Sequence, residues 1–111
     1  MAFLIRVVSL LQVENSFIAA DFLSTLIKRD NSDVITCMLE RCDLLDAYNE
    51  VVCAHDASAL VINEVLFGLS NLVISYHAQV SDHPILDGVV GLCKDPAPTQ
   101  KEATLVLCNY I

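Results

Sequence analysis

Apolar and polar positions along this chain recur with the 3.6-residue period of amphipathic helices. The clearest stripe follows the spacing i, i+1, i+4, i+7 and i+8 and consists of Leu44, Leu45, Tyr48, Val51 and Val52. Acidic and amide residues fall on the opposite side of the same segment, at Asp43, Asp46, Asn49 and Glu50. This spacing gathers the apolar side chains on one face and predicts a helix that packs through that face.

Three segments contain the residue types that end helices. Residues 31–33 (Asn-Ser-Asp) can end one helix and cap the next, and residues 82–84 end in a proline, which fits only the first turn of a helix. Residues 95–99 hold two prolines and form the clearest linker. The chain is therefore expected to be all-α, with helices at 2–12, 16–28, 33–40, 43–54, 58–75, 76–81, 85–94 and 98–110. Strands are the alternative, prompted by β-branched pairs such as Val89 and Val90, but the helical spacing and the short gaps disfavour them.

One pattern in the chain occurs twice, 38 residues apart (109 − 71 = 38). Residues 64–71 and residues 102–109 both have Glu first, a large apolar residue fourth, Leu sixth and Asn eighth, and residues 18–25 form a weaker copy. Self-similarity of helices with a period of roughly 40–47 residues is typical of armadillo and HEAT solenoids. We therefore expect a right-handed armadillo-type superhelical solenoid of about two and a half three-helix repeats. Its units are a partial repeat at 1–28 and full repeats at 33–75 and 76–111.

The apolar share is large for a chain of 111 residues. Hydrophobic residues make up 55 % of it, above the usual share of about 45–50 %. A compact domain of this size buries a smaller fraction of its surface than a large one, whereas stacked repeats cover one another. The chain is therefore expected to be a segment of a longer solenoid or to need a partner. Unpaired repeat faces at both ends predict self-association.

The chain is acidic, with six basic residues, fourteen acidic residues and a net charge of −8. This balance disfavours a nucleic-acid partner, because Lys and Arg contacts dominate the binding of a phosphate backbone. It favours a basic partner, such as a Lys/Arg-rich peptide or protein segment. The alternative is that the acidic residues only keep an apolar solenoid soluble.

Five cysteines occur without the spacing of a disulfide framework, which favours reduced thiols in a cytoplasmic and nuclear protein. Metal binding is an alternative that rests on four possible ligands, Cys37, Cys42, Cys53 and His55. Their spacing matches no zinc pattern with short fixed spacers. No metal or other cofactor is therefore expected, and no arrangement of residues supports an enzyme.

The N-terminal segment Met1–Val13 is apolar enough to suggest a signal peptide. Arg6 interrupts the apolar run, and no convincing small-residue cleavage site follows it. No stretch of eighteen uncharged apolar residues occurs. The sequence therefore predicts no transmembrane helix and no membrane partner.

The repeated pattern contains the candidate binding residues. Residues spaced by three, four and seven share a helix face, so Glu64, Phe67 and Asn71 form one line, and the second copy forms a matching line of Glu102, Leu105 and Asn109. Stacking the two helices places the asparagines side by side, where their amides can bind the backbone of an extended peptide. The glutamates would attract Lys or Arg of that peptide. Alternatively, each asparagine bonds a carbonyl of a neighbouring helix and holds the stack together.

Two segments carry a resemblance to a known family. Residues 98–110, PTQKEATLVLCNY, resemble the third helix of an armadillo repeat in the importin alpha family, and residues 61–72, VINEVLFGLSNL, resemble that of the neighbouring repeat. The family's asparagine in this motif binds the backbone of a nuclear localisation signal, and the tryptophan four residues earlier forms slots for lysine stems. The resemblance assigns the first role to Asn71 and Asn109, and Phe67 and Leu105 stand at the tryptophan positions.

The resemblance implies a nuclear import adaptor that recognises an extended basic peptide on a concave face. The alternative is an armadillo or HEAT scaffold that holds another protein and has no role in transport. More asparagine-bearing repeats, and a basic autoinhibitory segment before them, would favour the import adaptor.

Overall fold

Eight α-helices make up the residues that the computed structural model describes, 2–54, 57–94 and 99–111, and no strand occurs among them. In chain order the helices are α1 (Ala2–Glu14), α2 (Phe17–Lys28), α3 (Ser32–Arg41), α4 (Leu44–Cys53), α5 (Ala59–Ser75), α6 (His77–Ser81), α7 (Ile85–Lys94) and α8 (Gln100–Tyr110). Every predicted helix is present, and no end differs from its predicted position by more than two residues. The all-α prediction is confirmed for the described residues. All but Thr99 of the predicted linker at 95–99 lies outside them.

Short polar side chains cap three of the helices. Ser16, Asn31 and Ser58 each accept a hydrogen bond from a backbone N–H in the first turn of α2, α3 and α5, at 3.1 to 3.3 Å. These bonds satisfy amides that have no partner within their own helix.

Three joints between helices need a left-handed backbone. Asn15 follows α1, Asp30 follows α2 and Asp43 separates α3 from α4, with φ angles of 51°, 57° and 52°. After glycine, Asn and Asp adopt this conformation most readily, because their short polar side chains can bond the local backbone. The type of residue at each joint therefore fits the turn that the chain makes there.

The helices pack in two layers. The long helix α5 makes most of its contacts with α2 on one side and α8 on the other, so these three form one layer. In the second layer α4 lies between α1 and α7, and the short helices α3 and α6 precede α4 and α7. The helices predicted to end each repeat thus share one layer. This arrangement is consistent with a helical repeat.

The layers meet tightly at Gly68 of α5. A Cβ atom at this position would lie 2.8 Å from the Tyr48 hydroxyl oxygen of α4 and 3.1 Å from Ser24 Oγ of α2. The Ser24 hydroxyl donates a hydrogen bond of 2.9 Å to the Glu64 backbone carbonyl, which ties α2 to α5. Tyr48 is fully buried, and its hydroxyl has no hydrogen-bond partner among the described residues. Burial raises the pKa of Tyr48 strongly, and the Glu64 carboxylate adds to that increase.

A histidine joins α7 to α4. His83 Nδ1 accepts a hydrogen bond of 3.0 Å from the Ile85 backbone N–H at the start of α7, and His83 Nε2 lies 2.6 Å from Asp46 Oδ1 of α4. Because Nδ1 is an acceptor, the ring proton of a neutral His83 lies on Nε2 and is donated to Asp46. One imidazole therefore caps a helix and links two helices of the same layer.

Replacing His83 by alanine is expected to lower the free energy of unfolding by about 1–2 kcal/mol, because α7 loses its cap and α4 its bond to the imidazole. Asp46→Asn keeps an acceptor oxygen at an exposed position, so we expect a smaller loss. Urea unfolding at neutral pH measures both midpoints. An unchanged midpoint for His83→Ala would show that neither bond contributes to stability.

Candidate functional site

The first copy of the repeated pattern lies on the outward side of α5. Phe67 is 39 % exposed and Glu64 and Asn71 are half-buried, whereas most of this helix is buried. Leu60 and Ile74 continue the same line towards the two ends of α5 and are 70 % and 63 % exposed. An exposed line of this kind on a helix otherwise packed on three sides is available for a partner.

The second copy occupies the corresponding side of α8. Leu105 is 43 % exposed, Glu102 is half-buried and Asn109 is exposed. Ala103 and Val106, on the other side of the helix, are buried. Both copies therefore present the same kinds of residue outward from one layer.

One hydrogen bond brings the two copies together. Asn109 Nδ2 donates to the Ser70 backbone carbonyl of α5 at 3.2 Å, across 39 residues of sequence. Ser70 directly precedes Asn71, so the asparagine of α8 lies next to the turn of α5 that carries the other asparagine. Asn109 therefore bonds a carbonyl of a neighbouring helix, as the alternative interpretation of the pattern predicts. Asn71 Nδ2 donates to Phe67 O within its own helix, at 3.3 Å.

The weaker third copy lies on α2, the other neighbour of α5. Asp21 and Thr25 are exposed there, and the Thr25 hydroxyl donates a hydrogen bond of 2.9 Å to the Asp21 backbone carbonyl. We define the α2–α5–α8 face as the outward side of this layer, formed by Asp21, Thr25, Glu64, Phe67, Asn71, Glu102, Leu105 and Asn109. Its chemistry combines carboxylates with exposed apolar side chains. Such a surface suits a cation on an aliphatic stem, because the stem can lie on apolar atoms while the charge meets a carboxylate.

A shallow pocket adjoins this face between the C-terminal ends of α2 and α5. Its volume is about 170 Å³, and it is lined by Ile27, Lys28, Asp30, Asn71, Ile74 and Ser75. Asn71 was predicted from the sequence as a binding residue, whereas the other lining residues were not. Ile74 had a usable signal, since it lies seven residues after Phe67 on the same helix line. Asp30 and Ile27 had none, because their approach to Asn71 depends on how α2 packs against α5.

The described thiols and histidines form no comparable site. No group of three or more His, Cys, Asp or Glu residues suited to a metal ion occurs in the described part of the chain, and His55 of the metal alternative lies outside it. Burial raises the pKa of the Cys42 thiol, and the neighbouring Cys37 thiol raises it further. None of the described helices is long and apolar enough to cross a membrane.

Comparison with known proteins found no similar protein. No protein-family model matches the chain, and neither a curated protein nor a solved structure shows significant similarity to it.

Proposed function

We propose that this chain is a protein-binding module of the armadillo type, and that its α2–α5–α8 face holds an extended basic segment of a partner, as in an importin alpha-like nuclear import adaptor. The observation that carries the proposal is the bond from Asn109 to the Ser70 carbonyl. It sets the two copies of the pattern side by side, with an exposed apolar residue and a carboxylate in each. Residues repeated at a fixed pitch suit a ligand whose own residues repeat along an extended backbone.

Each part of the face has a role in this proposal. Lysine stems lie against Phe67 and Leu105, and the ammonium groups meet the carboxylates of Glu64 and Glu102. The Phe67 ring also attracts a cation through its π face, whereas Leu105 offers apolar contact alone. The side-chain carbonyl of Asn71 accepts a hydrogen bond from the backbone of the bound segment.

A scaffold without a role in transport is the second candidate. The Asn109 amide already bonds within the stack, which leaves fewer polar groups for a peptide backbone. Leu60 and Ile74 extend the exposed apolar line of α5 beyond the repeated pattern. A partner recognised mainly through these residues would bind by apolar contact.

Replacing Asn71 and Asn109 together by alanine is expected to abolish binding of a Lys-rich peptide while helix content stays unchanged. Fluorescence anisotropy with a labelled peptide of about six lysines separated by alanines measures the affinity, and circular dichroism measures the helix content. Asn71→Ala alone is the cleaner variant, because it breaks only a bond within α5. We expect it to bind about tenfold more weakly, the loss for one buried hydrogen bond. Gln79→Ala, an exposed amide on α6, is the matched control.

Unchanged affinity in the double variant would remove the proposed role of the asparagines. Salt then separates the two candidate functions. Binding of a basic segment weakens as salt rises and in Glu64→Gln with Glu102→Gln, because both changes reduce the attraction between opposite charges. Binding to an apolar scaffold surface would respond to neither.

A further inference from the structure

Helix α1 exposes more large hydrophobic residues than any other described helix. Of the twelve exposed large hydrophobic residues in the described part of the chain, six fall within the first eighteen positions: Phe3, Ile5, Leu10, Val13, Phe17 and Ile18. We call the line along α1 formed by Phe3, Arg6, Leu10 and Val13 the α1 face; its residues are spaced by three and four and therefore share one side of the helix. Val13 is 75 % exposed and Phe3 63 %, so no described element covers this line.

An aromatic contact places the α1 face at the border with α2. The ring centroids of Phe3 and Phe22 are 5.5 Å apart, with the ring planes tilted by 58°. The exposed apolar surface thus continues from the first helix onto the second. Continuous exposed apolar surface on an otherwise acidic protein marks an interaction site.

The first two helices carry no net charge. Residues 2–28 contain Arg6 and Lys28 against Glu14 and Asp21, so their charge is 2 − 2 = 0. The net charge of −8 therefore belongs entirely to the rest of the chain. Two copies repel each other least where their neutral surfaces meet. A second copy can therefore approach the α1 face at low electrostatic cost.

Two exposed residues of opposite charge lie at equal distances on either side of Leu10 in α1. Arg6 and Glu14 lie four residues on either side of it (10 − 6 = 4; 14 − 10 = 4). In two antiparallel helices related by a two-fold axis at this position, residues equally far from the axis face each other. Each Arg6 then meets Glu14 of the second copy. Arg6 and Glu14 are exposed and form no ion pair within the described part of the chain.

We infer that the α1 face is an interface with a second copy of this chain, in which the two α1 helices pack antiparallel about a two-fold axis at Leu10. Leu10 meets its own copy at the centre, and two Arg6–Glu14 pairs flank it. A head-to-tail contact with the opposite end, where Val90 and Ile111 are exposed, would not bring Arg6 of one copy to Glu14 of the other. The inference does not depend on the proposed function, because α1 belongs to the other layer.

Sedimentation equilibrium of the whole chain between about 1 and 100 μM tests the interface, since weak specific dimers dissociate in this range. We expect a monomer–dimer equilibrium. Val13→Asp changes a residue that is 75 % exposed, so the fold is retained while the dimer weakens at least tenfold. Arg6→Glu alone, and Glu14→Arg alone, place like charges opposite each other and weaken the dimer about tenfold. The two charge reversals together restore the affinity to within about threefold of the unmodified chain.

Ile111→Asp at the opposite end is the control and should leave the dimer unchanged. A loss of association in this variant, or growth of assemblies beyond the dimer, would replace the two-fold interface by a head-to-tail contact. A monomer throughout the concentration range would assign the α1 face to another protein and overturn the inference. Failure of the double charge reversal to restore affinity would overturn the antiparallel pairing.

Discussion

Replacing Gly68 by alanine is expected to lower the free energy of unfolding by about 2–4 kcal/mol. The new methyl group would stand 2.8 Å from the Tyr48 hydroxyl oxygen and 3.1 Å from Ser24 Oγ. Neither neighbour moves easily: Tyr48 is fully buried, and Ser24 holds α2 to the Glu64 carbonyl. Overpacking at a junction of three helices therefore strains the contact between both layers.

Gly91→Ala is the matched control. Gly91 lies inside α7, and a Cβ atom there would have no atom within 4 Å. The same substitution should raise the free energy of unfolding by about 0.5–1 kcal/mol, because alanine loses less conformational freedom than glycine on forming a helix. If Gly68→Ala lowers the free energy of unfolding and Gly91→Ala raises it, the loss at Gly68 is due to packing.

The Tyr48 hydroxyl provides a second test of whether a steric clash causes the destabilisation by Gly68→Ala. Tyr48→Phe removes a buried group that has no partner, so by itself it should be neutral or slightly stabilising. Combined with Gly68→Ala it removes the closest contact, and the double variant should recover about 1 kcal/mol or more relative to the sum of the single changes. Denaturant unfolding of all four chains gives this coupling energy. Strict additivity would contradict the clash between Gly68 and Tyr48.

Raising the pH above about 10 is expected to destabilise the protein by up to about 1.4 kcal/mol per pH unit through Tyr48 alone. Its pKa is raised in the folded protein, first by burial and second by the Glu64 carboxylate. In the unfolded chain the phenol ionises near pH 10, whereas in the folded chain it remains protonated. The stability that the protonated Tyr48 phenol contributes is therefore complete below pH 10. It is lost as the pH rises towards the pKa of Tyr48 in the folded protein.

Urea unfolding of the unmodified chain and of Tyr48→Phe between about pH 8 and 12 measures this loss. The two stabilities should run parallel up to about pH 10 and then diverge, with the unmodified chain falling faster. Ionisation of Cys42, whose thiol pKa is also raised, affects both chains and cancels in the difference. Parallel curves up to pH 12 would contradict the strong shift at Tyr48.

The helices were predictable because their signals are local. Asn31 was predicted to cap a helix and does so, and Ser16 and Ser58 make the same kind of bond at the first residues of the predicted helices 16–28 and 58–75. The bonds that join the helices were not predictable. His83 to Asp46, Ser24 to the Glu64 carbonyl and Asn109 to the Ser70 carbonyl span 37, 40 and 39 residues. Such bonds depend on the angle and distance at which two helices pack, which periodicity does not determine.

In the candidate site, too, the local features were predictable from the sequence and the contacts between helices were not. Helical spacing was enough to place Glu64, Phe67 and Asn71 on one exposed line of α5. It could not decide whether an asparagine amide faces a ligand or a neighbouring carbonyl, because both lie on the same side of the helix. In the structure, the Asn109 amide bonds a carbonyl of the neighbouring helix, and the Asn71 amide bonds a carbonyl of its own helix. The import adaptor stays a prediction, resting on the resemblance and on the chemistry of the face.

The left-handed joints at Asn15, Asp30 and Asp43 have a consequence for how this protein can diverge. Helix residues exchange for other apolar or polar residues as long as the period is kept, so similarity along the helices fades quickly. The joints accept little beyond Asn, Asp and Gly, because other side chains are strained at positive φ. They lie 15 and 13 residues apart (30 − 15 = 15; 43 − 30 = 13). We therefore expect distant relatives to keep Asn, Asp or Gly at this spacing between helical stripes, even where overall sequence similarity has been lost.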